Sequence, residues 1–239
     1  IANITVPVSW RRQYCGIFEA HADGVIYYFI DHEYYFKRDT LYGYYDDAER
    51  YAFFARAVLE IIPYIGFTPD IIHCNDWQTA LTPVYLNEFY KAKPLYSNIK
   101  TVFTIHNIQY QGKYGMELYK DLLGLKPGRE SIIEYDGCVN FMKGAIQCAD
   151  KVTTVSPTYS REILEPYYSH GLDNILKQFT YKLTGIVNGI DYDVYNPETD
   201  KLIYKNFTAD TLKLKAVNKS ELQKQMGLPQ KADTPLIGI

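Results

Sequence analysis

Three short apolar segments decide the fold: DIIHC at residues 70–74, TVFTI at 101–105 and KVTTV at 151–155. Each is rich in β-branched side chains, and stretches with a helical spacing of apolar residues lie between them. Short apolar strands that alternate with helices are typical of a parallel sheet covered by helices. We therefore predict an α/β fold built on a Rossmann-like parallel sheet, with helices on both of its faces.

The residues before these segments predict an antiparallel β-hairpin. Apolar stretches at 15–20 and 25–30 flank the turn-forming sequence HADG at 21–24. The other strands are predicted at 4–8, 182–187 and 236–239. Helices are predicted at 46–62, 77–91, 119–123, 140–149 and 209–227, with a further helix opening at Ser156-Pro157.

The ends of the sequence suggest a piece of a longer protein. The chain starts at Ile1 and finishes in an apolar run, PLIGI at 235–239. We expect residues 1–228 to form one domain that lacks its first strands. We expect residues 229–239 to be a linker followed by the first strand of a second domain.

Composition excludes several classes of protein. The net charge of the 239 residues is −3 and only 22% are charged, which excludes a basic nucleic-acid-binding surface and an acidic disordered tail. No apolar run approaches the roughly 18 residues of a membrane helix. The four cysteines form no CxxC pair, which favours reduced thiols. We therefore expect a cytoplasmic protein with neither nucleic acid nor membrane as a partner.

Polar side chains follow the ends of the predicted strands. Asp76 follows the first, His106 and Asn107 the second, and Asn188 the strand near 182–187. Ligands of open α/β sheets bind outside the carboxyl ends of the strands, so a polar ligand site is predicted there. Simpler interpretations stay open: Asp76 as a helix cap, His106 as a hydrogen-bonded core residue, and Asn188 as part of a turn.

Several familiar catalytic motifs are absent from the sequence. There is no GxGxxG, no P-loop, no GxSxG and no pair of ligands at zinc-like spacing. A DxD triplet occurs at 191–193, a pattern that holds a metal ion in some sugar-nucleotide enzymes. Here it follows an Asn-Gly turn, and we interpret it as loop structure, so no metal site is predicted.

Four ordered segments resemble one enzyme family. They are DIIHCNDWQTAL at 70–81, FTIHNIQYQG at 103–112, TTVSPTYSREI at 153–163 and GIVNGIDYDVYNPETD at 185–200. Together they closely resemble bacterial glycogen synthases and plant starch synthases, over essentially the whole chain. The resemblance implies the acceptor-side, N-terminal half of a two-domain GT-B glycosyltransferase.

The activity of that family is implied with it. These enzymes transfer glucose from ADP-glucose, or UDP-glucose in some members, to the non-reducing end of an α-1,4-glucan, with retention of configuration. The expected partners are therefore ADP-glucose and α-1,4-glucan, with no metal or other cofactor. A plant member would be located in the plastid.

By motif match, the resemblance also implies the site residues. The catalytic residues are His106, which holds the donor glucose, and Asp76, at the edge of the sugar pocket near the reacting centre. Asn188 holds the glucose with His106. The other substrate-binding residues implied are Tyr35, Asn107, Tyr110 and Gln111.

The chain departs from the full family pattern. The diphosphate-binding loop of the family and the Arg, Lys and Glu of its second domain find no match in residues 1–239. We therefore expect this piece alone to be inactive in transfer. Two alternatives stay open: another GT-B transferase, such as a sucrose-synthase-like enzyme, and a noncatalytic glucan-binding fragment.

Overall fold

The computed structural model describes residues 1–238. The chain divides into two compact units, Ile1–Val187 and Asn188–Ile239. The division lies well before residue 228, where the sequence predicted a domain to end, so the assignment of 188–228 stays a prediction. Residues 236–238 form no strand in this structure and Ile239 lies outside the described residues, so the strand predicted at 236–239 as the start of a second domain stays a prediction. A strand needs a paired neighbour, and none lies in residues 188–238.

Strands and helices of the described region follow in chain order. The strands are β1 (Ala2–Val8), β2 (Arg11–Ala22), β3 (Val25–Asp31), β4 (Ile71–Asn75), β5 (Lys100–Ile105), β6 (Lys113–Tyr114), β7 (Glu134–Tyr135), β8 (Cys138–Asn140), β9 (Lys151–Thr154) and β10 (Leu183–Gly185). The helices are α1 (Glu33–Phe36), α2 (Asp47–Glu60), α3 (Asp76–Thr79), α4 (Leu81–Tyr85), α5 (Phe141–Cys148), α6 (Tyr159–Glu162), α7 (Asp173–Gln178) and α8 (Lys215–Gln225). Single π-helical turns cover Leu86–Tyr90 and Tyr119–Leu123.

The predicted hairpin is confirmed as part of an antiparallel sheet in the order β1-β2-β3. Its turn is made by Asp23 and Gly24, which have φ angles of 52° and 76°. Two residues with positive φ make the turn type that matches the twist of a hairpin. The inward side chains of β1 and β2, such as Val6 and Ile17, are buried in the core, where β1 packs against α2.

The predicted α/β fold is confirmed by a parallel sheet in the order β10-β9-β5-β4. One face, with Cys74, Phe103 and Val152, is buried, whereas Ile71 and Thr184 on the other face are exposed. Within residues 1–187 the helices that connect these strands cover the buried face, and helices on the second face stay a prediction. The strands follow one another across the sheet in sequence order, and right-handed crossovers then place the connecting helices on one side.

Two helices differ from their predicted extent for local reasons. The helix predicted at 77–91 is divided into α3, α4 and a π-helical turn, because Pro83 has no N–H to donate to the preceding turn. The helix predicted at 46–62 is α2 and covers Asp47–Glu60; the Asp46 side chain before it accepts a hydrogen bond from Arg38 and makes no cap. Among the described residues, no helix has both the length and the apolar character that crossing a bilayer requires.

Candidate functional site

The pairing of β4 with β5 brings the ends of these strands together. Asn75 is in register with Thr104, so the residues that follow them lie side by side. The Asp76 carboxylate accepts the backbone N–H of His106 at 2.9 Å and that of Asn107 at 3.4 Å, both on Oδ1. Its other oxygen, Oδ2, accepts no hydrogen bond from residues 1–238, which leaves that oxygen available to a ligand.

Asp76 has a strained backbone. Its φ is 56°, in the left-handed region that residues with a side chain seldom adopt, at a cost of about 1–3 kcal/mol. Asp76 is the first residue of α3, yet its carboxylate bonds across to the end of β5 and caps no N–H of its own helix. The helix-cap interpretation of Asp76 is therefore wrong, and strain of this kind is typical of functional sites.

His106 is an exposed residue, so it is not a core histidine. Its ring Nε2 lies 2.9 Å from Asn75 Oδ1. Because an amide oxygen only accepts, Nε2 carries the proton and donates. In the neutral ring, Nδ1 is then left as an acceptor, and this tautomer can receive a hydroxyl hydrogen bond without a change of charge.

Two hollows open beside Asp76. The smaller, of about 190 Å³, is lined by Tyr42, Asp76, Trp77, Gln78, Asn107 and Tyr110. The larger, of about 570 Å³, shares Tyr42, Trp77 and Tyr110 and adds His170 among others. The Tyr42 ring lies 6.3 Å from that of Tyr110 and 6.5 Å from that of Trp77, measured between centroids. Aromatic faces next to a carboxylate suit a sugar ring, which has apolar faces and a rim of hydroxyls.

A buried ion pair holds the loop that carries Tyr42. Asp47 Oδ2 accepts the backbone N–H groups of Gly43 at 2.6 Å and Tyr44 at 3.1 Å. Its Oδ1 is paired with the guanidinium of Arg50, which also donates to the Leu41 carbonyl at 3.1 Å. Arg50 is only 2% exposed. These hydrogen bonds therefore fix the loop on both sides of Tyr42.

Tyr35 does not reach this site surface. It is fully buried, its ring is stacked on His32 at 4.2 Å, and its hydroxyl is bonded to Glu49. Burial and the Glu49 carboxylate raise the pKa of the Tyr35 hydroxyl. The role at a sugar site that the motif match implied for Tyr35 is therefore corrected: Tyr35 is a core residue.

Gln111 is also buried, but it supports the site. Its amide donates to the carbonyls of Ile108 and His170, both at 3.1 Å, and its oxygen accepts from Asn140 at 2.8 Å. These bonds occupy the side chain and fix the loop after β5. Gln111 therefore fixes part of the wall of the larger hollow, and its amide group is already hydrogen-bonded within the protein.

The other predicted site residues are exposed. Asn107 and Tyr110 follow β5, and both line the smaller hollow. The Asn107 side chain accepts the Gln109 N–H at 3.0 Å, which gives this turn its shape. Asn188 is the first residue of the second unit. It is exposed.

Sequence reasoning missed two aromatic residues of the site. Trp77 is 6% exposed and packs its ring against Tyr51 at 4.9 Å, and Tyr42 lies in a loop before α2. Tyr42 meets the site only through tertiary contacts, so no spacing in the sequence identifies it. Trp77 directly follows Asp76, and its position at a strand end was the one available signal.

No group of three or more His, Cys, Asp or Glu side chains within residues 1–238 is placed to hold a metal ion.

One tyrosine that lines the larger hollow has a shifted pKa. Burial raises the pKa of Tyr114. Its hydroxyl therefore stays protonated and can serve as a neutral hydrogen-bond donor.

Comparison with known proteins adds a family match. A family model described as the starch synthase catalytic domain matches residues 1–178. The glycogen synthase of Geobacillus thermodenitrificans (strain NG80-2) is 51% identical over 241 residues, covering 100% of this chain and 50% of that protein. The glycogen synthase of Clostridium acetobutylicum is 52% identical over 242 residues, covering 100% of this chain and 51% of that protein.

A solved structure matches the fold as well. The catalytic domain of starch synthase IV from Arabidopsis thaliana, bound to ADP and acarbose, superposes with a TM-score of 0.80 at 35% identity. The match covers 95% of this chain and 48% of that one. The chain spans about half the length of the curated relatives it matches.

Proposed function

The chain belongs to the glycogen and starch synthase family, and on that premise we propose that a protein carrying it transfers glucose from ADP-glucose to an α-1,4-glucan. Transfer takes place at the non-reducing end, with retention of configuration. The Asp76 site is the acceptor-side half of this reaction centre. The resemblance stated from the four sequence segments is confirmed by the family match.

One observation carries the proposal: a carboxylate fixed by two backbone N–H groups lies at the rim of an aromatic hollow. As the nucleotide diphosphate leaves, the sugar becomes positively charged and resembles an oxocarbenium ion. A carboxylate already held in place stabilises such a charge without reorganising in the transition state. Asp76 meets this requirement, since its Oδ1 is bound by the N–H groups of His106 and Asn107.

The neighbouring residues have roles that follow from their contacts. His106 receives a sugar hydroxyl at Nδ1, because Asn75 holds its Nε2. Asn107 and Tyr110 line the acceptor side of the smaller hollow. Gln111 is a positioning residue for their loop. Asn188 is proposed to hold the donor glucose, and Tyr35 is not carried into the proposed site.

The proposed substrates are supported by what a structural neighbour binds. The Arabidopsis starch synthase IV domain is bound to ADP and acarbose, a nucleotide and an oligosaccharide analogue. An ADP-linked donor and a glucan acceptor belong to the same two chemical classes. We further propose that transfer needs no metal ion, and undiminished activity in EDTA is the expected result.

Incorporation of labelled glucose into glycogen by the full-length protein tests the proposal, with ADP-glucose and UDP-glucose compared. We expect transfer from ADP-glucose that is reduced about 5- to 150-fold in His106→Ala, since one lost sugar hydrogen bond costs about 1–3 kcal/mol. Transfer from UDP-glucose alone would show that the donor is UDP-glucose and not ADP-glucose. No transfer to glucan from either donor would overturn the synthase proposal in favour of a different acceptor or a glucan-binding protein.

A further inference from the structure

Arg56, on α2, is held by aromatic rings and by no hydrogen bond. The carbon of its guanidinium lies 4.2 Å from the ring centroid of Phe89, 4.8 Å from that of Tyr90 and 5.5 Å from that of Tyr85. Its Nε is buried and has no hydrogen-bond partner. The three rings stabilise the positive charge and fix the guanidinium plane, but they leave its N–H donors unused.

Arg50, six residues earlier on the same helix, shows what an arginine with a purely structural role does in this protein. Its Nε donates to Tyr35 O at 2.6 Å, and its other two nitrogens bond to Asp47 and Leu41. Arg56, by contrast, donates no hydrogen bond to any residue between 1 and 238. Only its Nε is both buried and without a partner, so the two terminal nitrogens are the donors that a group in a neighbouring hollow can reach.

A hollow of about 220 Å³ lies at Arg56. It is lined by Pro7, Ser9, Arg56, Phe89, Leu123 and Gly124, which we call the Arg56 pocket. None of these residues lines the hollows beside Asp76. The Ser9 hydroxyl makes only a long bond of 3.4 Å, to the Lys120 carbonyl, so it is free to turn toward a ligand.

The positive charge of Arg56 favours a small anion in the pocket, and a nearby carboxylate weakens that attraction. The nearest carboxylate to the guanidinium is Glu60, whose Oε1 lies 3.7 Å from Arg56 Nε. The same oxygen already accepts the Tyr90 hydroxyl at 2.5 Å. Glu60 therefore offsets part of the charge from the Nε side but forms no hydrogen bond that would occupy the donors.

We propose that the Arg56 pocket binds a phosphate group, either as inorganic phosphate or as the end of a phosphate monoester. A tetrahedral oxyanion accepts two parallel N–H bonds from a guanidinium, and a further oxygen can accept the Ser9 hydroxyl. The inference is independent of the proposed transferase activity.

Calorimetric titration of the full-length protein with inorganic phosphate, in the absence of nucleotide sugar, tests the proposal. We expect saturable binding with a dissociation constant on the order of millimolar, weakened at least tenfold in Arg56→Gln. Arg12→Gln, which removes an exposed arginine, is the matched control and should bind as the wild type does. Methyl phosphate in place of inorganic phosphate distinguishes the monoester from the free ion.

A second variant keeps the test independent of folding defects. Ser9 has a φ of 54°, which glycine adopts without strain, so Ser9→Gly removes the hydroxyl without destabilising the turn. We expect this variant to bind phosphate severalfold more weakly at an unchanged melting temperature. Binding that Arg56→Gln and Ser9→Gly both leave unchanged, or no saturable binding at tens of millimolar phosphate, would overturn the proposal.

Discussion

At the scale of single residues, the site depends on backbone groups that hold side chains in place. Asp76 is fixed by the N–H groups of two residues from the neighbouring strand end, and His106 is oriented by Asn75. The sequence placed Asp76 and His106 at adjacent strand ends, because parallel strands end at the same edge of a sheet. It could not show their hydrogen bonds, which depend on the register between β4 and β5.

Arg50→Met is expected to destabilise the first unit. It leaves the buried Asp47 without its partner and frees the loop that carries Tyr42. Breaking one side of a buried ion pair costs about 3–5 kcal/mol. Denaturant unfolding of the variant measures this loss, with Arg12→Met as an exposed control. A change in unfolding free energy below about 1 kcal/mol would show that the pair does not hold the loop.

At the scale of elements, strands were predicted more accurately than helices. β4, β5 and β9 lie within one residue of their predicted bounds, because short β-branched segments leave little freedom in their ends. The helix predicted at 77–91 is interrupted at Ala80, because Pro83 has no N–H to donate to the preceding turn, an effect that could have been anticipated. The exposed face of the parallel sheet could not have been anticipated in this way, because it depends on the order of the strands in the sheet.

Gly112 lies where the loop after β5 packs closely against Trp77 and Phe141. Its replacement tests how tight this packing is. Its φ is 66°, and a Cβ there would lie 2.9 Å from the Trp77 ring and 3.1 Å from Phe141. Gly128 has a similar φ of 86° but open space around it. Both alanine variants carry the left-handed strain, so any extra loss in Gly112→Ala reports the clash.

We expect the melting temperature of Gly112→Ala to lie several degrees below that of Gly128→Ala, corresponding to about 1–3 kcal/mol of overpacking. A change in the near-ultraviolet circular dichroism of Trp77 should accompany it. Equal melting temperatures for the two variants would mean that the loop moves away from Trp77 at little cost.

At the scale of the whole molecule, many of the buried groups that can lose a proton are cysteine thiols and tyrosine hydroxyls. Burial raises the pKa of Cys15 and Cys148 to about 11, and that of Cys74 and Tyr96 to about 12. In the unfolded chain these groups ionise near 9 for the thiols and 10 for the phenol. Folding therefore favours their protonated forms.

The free energy of unfolding should accordingly fall on the alkaline side. The contribution of these groups is fully present below about pH 9 and is lost as pH rises through 11 to 12, each pKa difference of one unit contributing about 1.4 kcal/mol. Denaturant unfolding between about pH 8 and pH 11 measures the slope, which Cys148→Ala should make shallower. A flat profile over this range would contradict the burial of these groups.

The family and the sheet of this chain were visible in its sequence, whereas the aromatic hollow was not. Four ordered segments pointed to the glycogen and starch synthase family, which the match over residues 1–178 confirms. Tyr42 reaches the hollow through a loop fixed by Asp47 and Arg50, and no local pattern encodes such a contact.

The most direct test of the central claim is glucosyl transfer from ADP-glucose by the full-length protein in its Asp76→Asn form. Asparagine can still accept the N–H groups of His106 and Asn107, so the fold is kept while the charge is lost. We predict a fall in kcat of about 10²–10³-fold, with an unchanged melting temperature. Asp70→Asn, at the exposed opposite end of the same strand segment, should be as active as the wild type. Full activity in Asp76→Asn would show that the charge of Asp76 has no role in transfer.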